Sequence, residues 1–426
     1  MKIRQFVKSA GALSLAAAMT SGMPVMAATT YTPVAGTSCN FNKYLIMDAG
    51  DNVPNVTFSF TVAPGEAVSA DTSDNAVMQV LPGVGTPTIA DVTFSNSDAT
   101  VTEAGSNIDV ARTQEARTGT AGTDTVQLDA GEKYATKQAT VSFTGITFNE
   151  PGIYRYIVTE TANADHAAAG IIHDTDVDRV LDVYVVDDGN GALEVASYVL
   201  HTNVSDPVIN ASMGSADVAA AGAALEDKTD GFTNEYISKD LVFKKEVTGN
   251  QASRDKWFEF TATATNVNDA DVFTVSLADD NDDHTTDGNA DATSGTTAAT
   301  RESNQGKTNP TSVTGAQLKA GVKFYLQHGQ SIAIRGLAPN AGYTVTEDKE
   351  DYKQTASAVA GFTDATTGTM GEIAGTNKAV KTSWQNQRDG IIPTGVIMTI
   401  APFAAVTLIG GFGAAKITMK KRKDEE

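Results

Sequence analysis

The chain has 426 residues and a formal net charge of −21, with 52 acidic side chains against 31 basic ones. That length accommodates two or three domains, each with its own core, and the charge excludes nucleic acid as a partner. Cys39 is the single cysteine, which excludes an intrachain disulfide, and a Gly-, Thr-, Ala- and Asp-rich composition with few long amphipathic runs favours an all-β chain.

Residues 1–27 read as a signal peptide. Lys2, Arg4 and Lys8 form a basic start, an apolar run follows at 10–19, and Val25 and Ala27 supply the small residues of a cleavage site. The apolar run is too short to span a bilayer, so the chain is expected to be secreted, with cleavage after Ala27 or Ala28.

Beyond it the apolar alternation is that of strands, and three polar residues fall on apolar faces. In FNKYLIM, Lys43 shares a face with Phe41 and Leu45; in GIYRYIVTE, Glu160 continues the face of Tyr154, Tyr156 and Val158; in GFTNEY, Asn234 lies between Phe232 and Tyr236. The same order then recurs. Lys245 falls with Leu241, Phe243 and Val247, Glu347 with Tyr343 and Val345, and Asn386 with Trp384. Lys244, beside Lys245, leaves the second lysine open by one residue, although parity favours Lys245. Two domains are expected, at 31–237 and 238–389, with residues 237–240 as the joint.

Two polar insertions interrupt the pattern, at 203–230 and 277–315. The second carries Asp279, Asp280, Asp282 and Asp283, a set with the chemistry of hard-cation ligands. Its spacing matches no EF-hand loop and reads as a solvated acidic loop, so no metal site is assigned.

A lysine can snorkel at a sheet rim, and an inward glutamate ordinarily pairs with a cation. The repetition of all three residues in one order favours chemistry instead. An amine, a carboxyl and a carboxamide in an apolar core are costly unless they pair or react. Burial raises the carboxyl pKa and lowers the ammonium pKa, so a neutral amine, the nucleophile, becomes accessible beside a protonated glutamate. That acid polarises the carboxamide and passes a proton to departing ammonia. Proximity within the fold makes the step feasible. The product is a Lys–Asn amide formed once per domain, so the chain is its own substrate and not an enzyme in the turnover sense. Scattered histidines and the absence of a nucleophile elbow, a phosphate loop or metal-ligand spacing agree with this. No cofactor is expected.

At the C-terminus, Ile392, Pro393, Thr394 and Gly395 precede an apolar stretch at 396–415 and the basic run Lys420, Lys421, Arg422 and Lys423. The stretch is long enough for a transmembrane helix, with the basic tail on the cytoplasmic side. Residues 391–426 resemble the sorting signal of Gram-positive surface proteins, cut by a sortase between Thr and Gly. The common Leu-Pro-x-Thr-Gly form is replaced by a shortened one, which implies a pilin-type sortase.

The domains themselves resemble the Gram-positive major pilin and isopeptide-linkage family, including streptococcal backbone pilins and collagen-adhesin B-type domains. The family's F-x-N-x-Y ending matches Phe232 to Tyr236, and its K-x-V-T-G-N opening matches Lys245 to Asn250. Its Y-x-V-x-E motif matches Tyr156 to Glu160 and Tyr343 to Glu347. Trp384 replaces the phenylalanine before Asn386 and keeps an aromatic ring there. The resemblance implies two tandem immunoglobulin-like β-sandwich domains with isopeptide bonds Lys43–Asn234 and Lys245–Asn386 and catalytic acids Glu160 and Glu347. It implies a cell-wall-anchored fimbrial shaft subunit whose partners are sortase, further pilin subunits in a covalent homopolymer, and peptidoglycan of the cell wall. Lys228 is the candidate intersubunit lysine by position. The alternative is a monomeric wall-anchored adhesin of the same domain family that binds host or bacterial surface ligands.

Overall fold

The structure, a computed structural model, describes residues 30–68, 79–102, 107–108, 126–128, 131–174, 177–201, 229, 231–278, 307–348, 350–355, 361–371 and 378–390. The expected signal peptide, Lys228, the aspartates at 279–283 and the segment 391–426, with Ile392, Pro393, Thr394 and Gly395, lie outside the described residues. Among the described residues no helix is long and apolar enough to cross a membrane.

Period-two burial builds the first half of the chain. Its principal elements are β1 (Ser38–Asp48), β2 (Val56–Pro64), β3 (Glu132–Ser142), β4 (Gly152–Thr161), the short helix α1 (Ala164–Ala168), β5 (Asp178–Asp187), β6 (Leu193–His201) and β7 (Gly231–Tyr236). One sheet runs Ile171–Ile172, β7, β1, β3, Thr88–Ile89, and the other β6, β5, β4, β2, Val92–Phe94. Their inner faces meet in a core that includes Phe41, Leu45, Phe58, Phe60, Tyr156 and Phe232. Burying such side chains from both sheets stabilises the pair by roughly 1.5–3 kcal/mol per large apolar residue.

The second half repeats the plan with β8 (Lys239–Thr248), β9 (Phe258–Thr265), β10 (Val272–Ala278), α2 (Gly315–Ala320), β11 (Val322–Leu326), β12 (Ser331–Leu337), β13 (Gly342–Glu347) and β14 (Ala379–Gln387). The sheet Ser312–Thr314, β10, β12, β8, β14, Lys353–Thr355 packs against β11, β9, β13, Thr367–Thr369. Phe243, Phe258, Phe260, Phe324 and Trp384 lie in this core. The protein is thus all-β, two tandem immunoglobulin-like sandwiches.

In each sandwich the first and last principal strands lie side by side and parallel. β1 pairs β7 with Lys43 opposite Phe232 and Leu45 opposite Asn234. β8 pairs β14 with Lys245 opposite Trp384 and Val247 opposite Asn386. The asparagine therefore sits two residues beyond the lysine's partner both times, on the same face of the sheet. The facing sheets agree as well, with Glu160 opposite Phe60 and Glu347 opposite Phe260.

The connection between the sandwiches is shorter than residues 237–240, because β8 already begins at Lys239, where Asp240 N–H bonds the Lys378 carbonyl. That leaves Ile237, whose N–H donates to Gly170 O at 2.8 Å, and Ser238, whose hydroxyl donates to Asp51 Oδ2 at 2.5 Å. Tyr236 OH donates to Gly336 O at 2.6 Å, Asn52 Nδ2 to Val272 O at 2.8 Å, and Lys378 Nζ pairs with Asp48 at 2.6 Å.

Candidate functional site

Lys43, Asn234, Lys245 and Asn386 are all 0 % exposed, an environment that an amine or amide leaves water for only with partners in place. In the first sandwich, β1 aims Lys43 and β7 aims Asn234 into the core, and β4 brings Glu160 from the opposite sheet. Lys43 Nζ meets Glu160 Oε2 at 2.6 Å, and Asn234 Nδ2 donates to Glu160 Oε1 at 2.5 Å. Asp174 N–H donates to Asn234 Oδ1 at 3.0 Å. The carboxamide is held at both ends, its nitrogen on the carboxylate and its oxygen on a fixed backbone donor.

The surroundings set the protonation. Burial pulls Lys43 down to about 8, against the opposing pull of Glu160. Burial pushes Glu160 up, but the Lys43 charge and the bonds from His173, Lys43 and Asn234 outweigh it and hold the carboxyl at about 2. The expectation of a carboxyl raised by burial therefore does not describe this site, because the Lys43 ammonium and the Asn234 amide both donate to it. Lys43 Nζ also lies 4.6 Å from the centre of the Phe58 ring. Arg179 Nη2 fixes Asp174 Oδ2 at 2.6 Å, and the guanidinium lies 4.6 Å from the Phe232 ring centre.

The second sandwich brings together Lys245, Glu347 and Asn386. Lys245 Nζ lies 2.7 Å from Glu347 Oε1, and Asn386 Nδ2 donates to the same oxygen at 2.9 Å. Lys244 faces the other way, 3.7 Å from Glu246, so the parity ambiguity between the two lysines ends with Lys245 at the carboxylate. Burial again lowers the lysine to about 8. Here burial also raises Glu347, in spite of the opposing Lys245 charge and the bonds from Lys245 and Asn386. Lys245 Nζ lies 4.5 Å from the Phe258 ring centre, the counterpart of Phe58. Gln354 Nε2 donates to Glu347 Oε2 at 3.3 Å. Asn386 Oδ1 is buried without a hydrogen-bond partner among the described residues.

Several neighbours escaped the sequence reading. Phe58 and Phe258 carried a signal, since each opens an F-x-F pair whose second ring lies opposite the glutamate. His166 and His173 carried none. They come from α1 and from the residue just after the strand Ile171–Ile172, where no alternation marks a face. Their rings stack at 5.0 Å with an 11° tilt, and His173 Nδ1 lies 3.0 Å from Glu160 Oε1. Among the described residues no group of three or more His, Cys, Asp or Glu is arranged to hold a metal.

Residues 40–237 match the family described as Spy0128-like isopeptide containing domain, and residues 239–388 match a domain of unknown function, DUF7601. The chain is similar to a pilin of Streptococcus pyogenes serotype M1, at 25 % identity over 431 residues and 99 % of each chain. Among solved structures it resembles the major pilin from Streptococcus pyogenes, at 20 % identity and a TM-score of 0.46, covering 84 % of this chain and 100 % of that one. It also resembles the major pilin T3.2 of the same species, at 18 % identity and a TM-score of 0.46, over 84 % and 99 %. Residues 40–237 therefore match the Spy0128-like isopeptide containing domain family, within a chain similar over its length to a streptococcal pilin.

Proposed function

We propose that this chain is a structural pilin, a fimbrial shaft subunit whose two sandwiches each close on themselves through a Lys–Asn isopeptide bond. The observation that carries the reading is the twice-built constellation: a buried lysine and asparagine on adjacent parallel strands in one register, bridged by a glutamate from the facing sheet. Glu160 takes a proton from Lys43, the neutral Nζ attacks Asn234 Cγ, the Cγ–Nζ bond forms, and the Cγ–Nδ2 bond breaks to release ammonia. Glu347 serves Lys245 and Asn386 in the same way. Each cluster reacts once, so the role is structural rather than enzymatic. Closing loops of this size constrains the unfolded chain by about 5 kcal/mol each in the chain-entropy treatment of cross-links.

Polymerisation with other pilin subunits, with sortase cutting between Thr394 and Gly395 and the fibre held on the cell wall, is supported by the streptococcal relatives and by the order of motif, apolar stretch and basic tail. Lys228 remains the proposed acceptor lysine between subunits.

Intact-mass measurement of the recombinant chain tests the bonds. Two bonds give a mass about 34 Da below that calculated, one ammonia per acyl transfer. Glu160→Ala and Glu347→Ala each restore about 17 Da by the same chemistry. A wild-type chain at its full calculated mass overturns the reading.

A further inference from the structure

The two clusters differ in what stands behind the glutamate. Glu347 is backed by Gln354, an amide that cannot take up a proton. Glu160 is backed by His173, whose Nδ1 lies 3.0 Å from Glu160 Oε1 and 3.4 Å from Asn234 Nδ2, the nitrogen that leaves. His173 Nε2 lies 3.0 Å from Nδ1 of His166. His166 is itself buried, packed edge-on against Phe58 and bonded to the backbone of Thr57. Its ring reaches the wall of a cavity of about 230 Å³ between the sandwiches, lined also by Asn55, Thr57, Asp165, Asp271 and Phe273. Its lining is mainly apolar, and Asn55, Thr57, Asp165 and Asp271 give water there its polar partners.

The proton count gives this chain of rings a task. An ammonium and a carboxamide become a secondary amide, ammonia and one surplus proton. We infer that His173 is a further catalytic residue of the first sandwich, which takes this surplus proton from Glu160 and passes it through His166 to the interdomain cavity. The inference rests on the isopeptide reading. In atoms, Lys43 gives one ammonium proton to the Glu160 carboxylate, and Nζ attacks Asn234 Cγ. The second Nζ proton travels by way of Glu160 to Nδ2, which leaves as ammonia. With His173 in the tautomer that carries its hydrogen on Nε2, the proton remaining on Glu160 moves to His173 Nδ1, His173 Nε2–H passes to His166 Nδ1, and His166 Nε2–H, which at rest donates to the Thr57 backbone at the cavity wall, passes to cavity water. Both rings end neutral, and Glu160 returns to the carboxylate. The charged groups around the relay are Glu160 on β4, Lys43 on β1, and Asp174 and Arg179 ahead of and on β5, with Asp165 and Asp271 at the cavity. Burial, and next the neighbouring His173, hold His166 below the ordinary imidazole range, which keeps the ring neutral and able to relay.

The second sandwich is an internal reference. Full-length chain recovered unfolded from inclusion bodies, with mass measurement establishing the starting state, is refolded by dilution between pH 5.5 and pH 8 and quenched in acid at intervals. Peptide mass then reads each bond separately. In the wild type the rate of the Lys43–Asn234 bond relative to the Lys245–Asn386 bond falls as the pH is lowered, since an imidazolium cannot accept a proton. His173→Gln, which keeps a hydrogen-bonding side chain at the position, lowers the ratio at pH 8 at least about tenfold and flattens its pH course. His166→Gln does the same in smaller degree and decides the matter if His173→Gln fails to refold. An unchanged ratio and pH course in the refolded variants overturns the relay. If neither bond forms in the wild type, the isopeptide reading itself fails, which is a different result.

Discussion

In the proposed reaction, Asn234 Oδ1 and Asn386 Oδ1 are the two atoms on which negative charge develops when the amines attack, and the protein treats them differently. The first accepts from the Asp174 backbone N–H at 3.0 Å, held by the Arg179–Asp174 pair. The second has no hydrogen-bond partner among the described residues. A preorganised donor at a developing oxyanion is worth 10²–10³ in rate at other acyl-transfer sites. The Lys43–Asn234 bond is therefore expected to form at least about tenfold faster than the Lys245–Asn386 bond at neutral pH. Time-resolved peptide mass checks this, and a second bond that leads the first contradicts it. Trapping either lysine without its acid carries a cost of its own, since an uncompensated buried charge destabilises by about 3–5 kcal/mol.

The reacting atoms stand only as close as their strands. Gly231 begins β7 opposite Asn42 of β1, and a Cβ built there would lie 1.7 Å from the Asn42 carbonyl oxygen. Gly231→Ala is accordingly predicted to push β7 off β1 three residues before Asn234. The chain then retains one ammonia, about 17 Da, at the first sandwich while the second bond still forms, and the first sandwich loses about 1–3 kcal/mol. Peptide mass and thermal unfolding check the two parts. Strand-level features of this kind were partly legible in the sequence. Lys43 among Phe41 and Leu45, or Asn234 between Phe232 and Tyr236, stands out because a strand's period of two is local and needs no partner to be read. The parallel pairing of β1 with β7 is not local, since roughly the whole sandwich separates them, and no turn announces it. The histidine pair was hidden for a related reason. Asn163 caps a five-residue helix and Gly170, at φ 83°, turns the chain back, so His166 and His173 meet through a loop geometry that carries no periodicity. Asp240 joins β8 by bonding Lys378, far along the chain, which no local pattern announces.

Across the whole molecule, the parallel arrangement decides where the chain enters and leaves. β1 runs from Ser38 toward Asp48 and β7 runs beside it toward Tyr236, so entry and exit lie at opposite ends of the sandwich. The exit end is where Asp48 and Asn52 meet the second sandwich and where Ser238 of the connection bonds Asp51. Lys43 lies 117 residues before Glu160 and Asn234 lies 74 after it, so the proposed Lys43–Asn234 bond closes a loop of 191 residues. Stretched out, that loop measures about 650 Å. In single-molecule pulling from the two ends, the wild-type chain is expected to release none of this length, whereas Glu160→Ala adds one event of about 600 Å; an equal release from both overturns the topology. Subunits spliced head to tail on this plan make a filament whose length does not depend on whether its cores are folded. Its extensibility is then set by the short spacers between covalent rings, and a blow that melts a sandwich leaves the tether no longer than before.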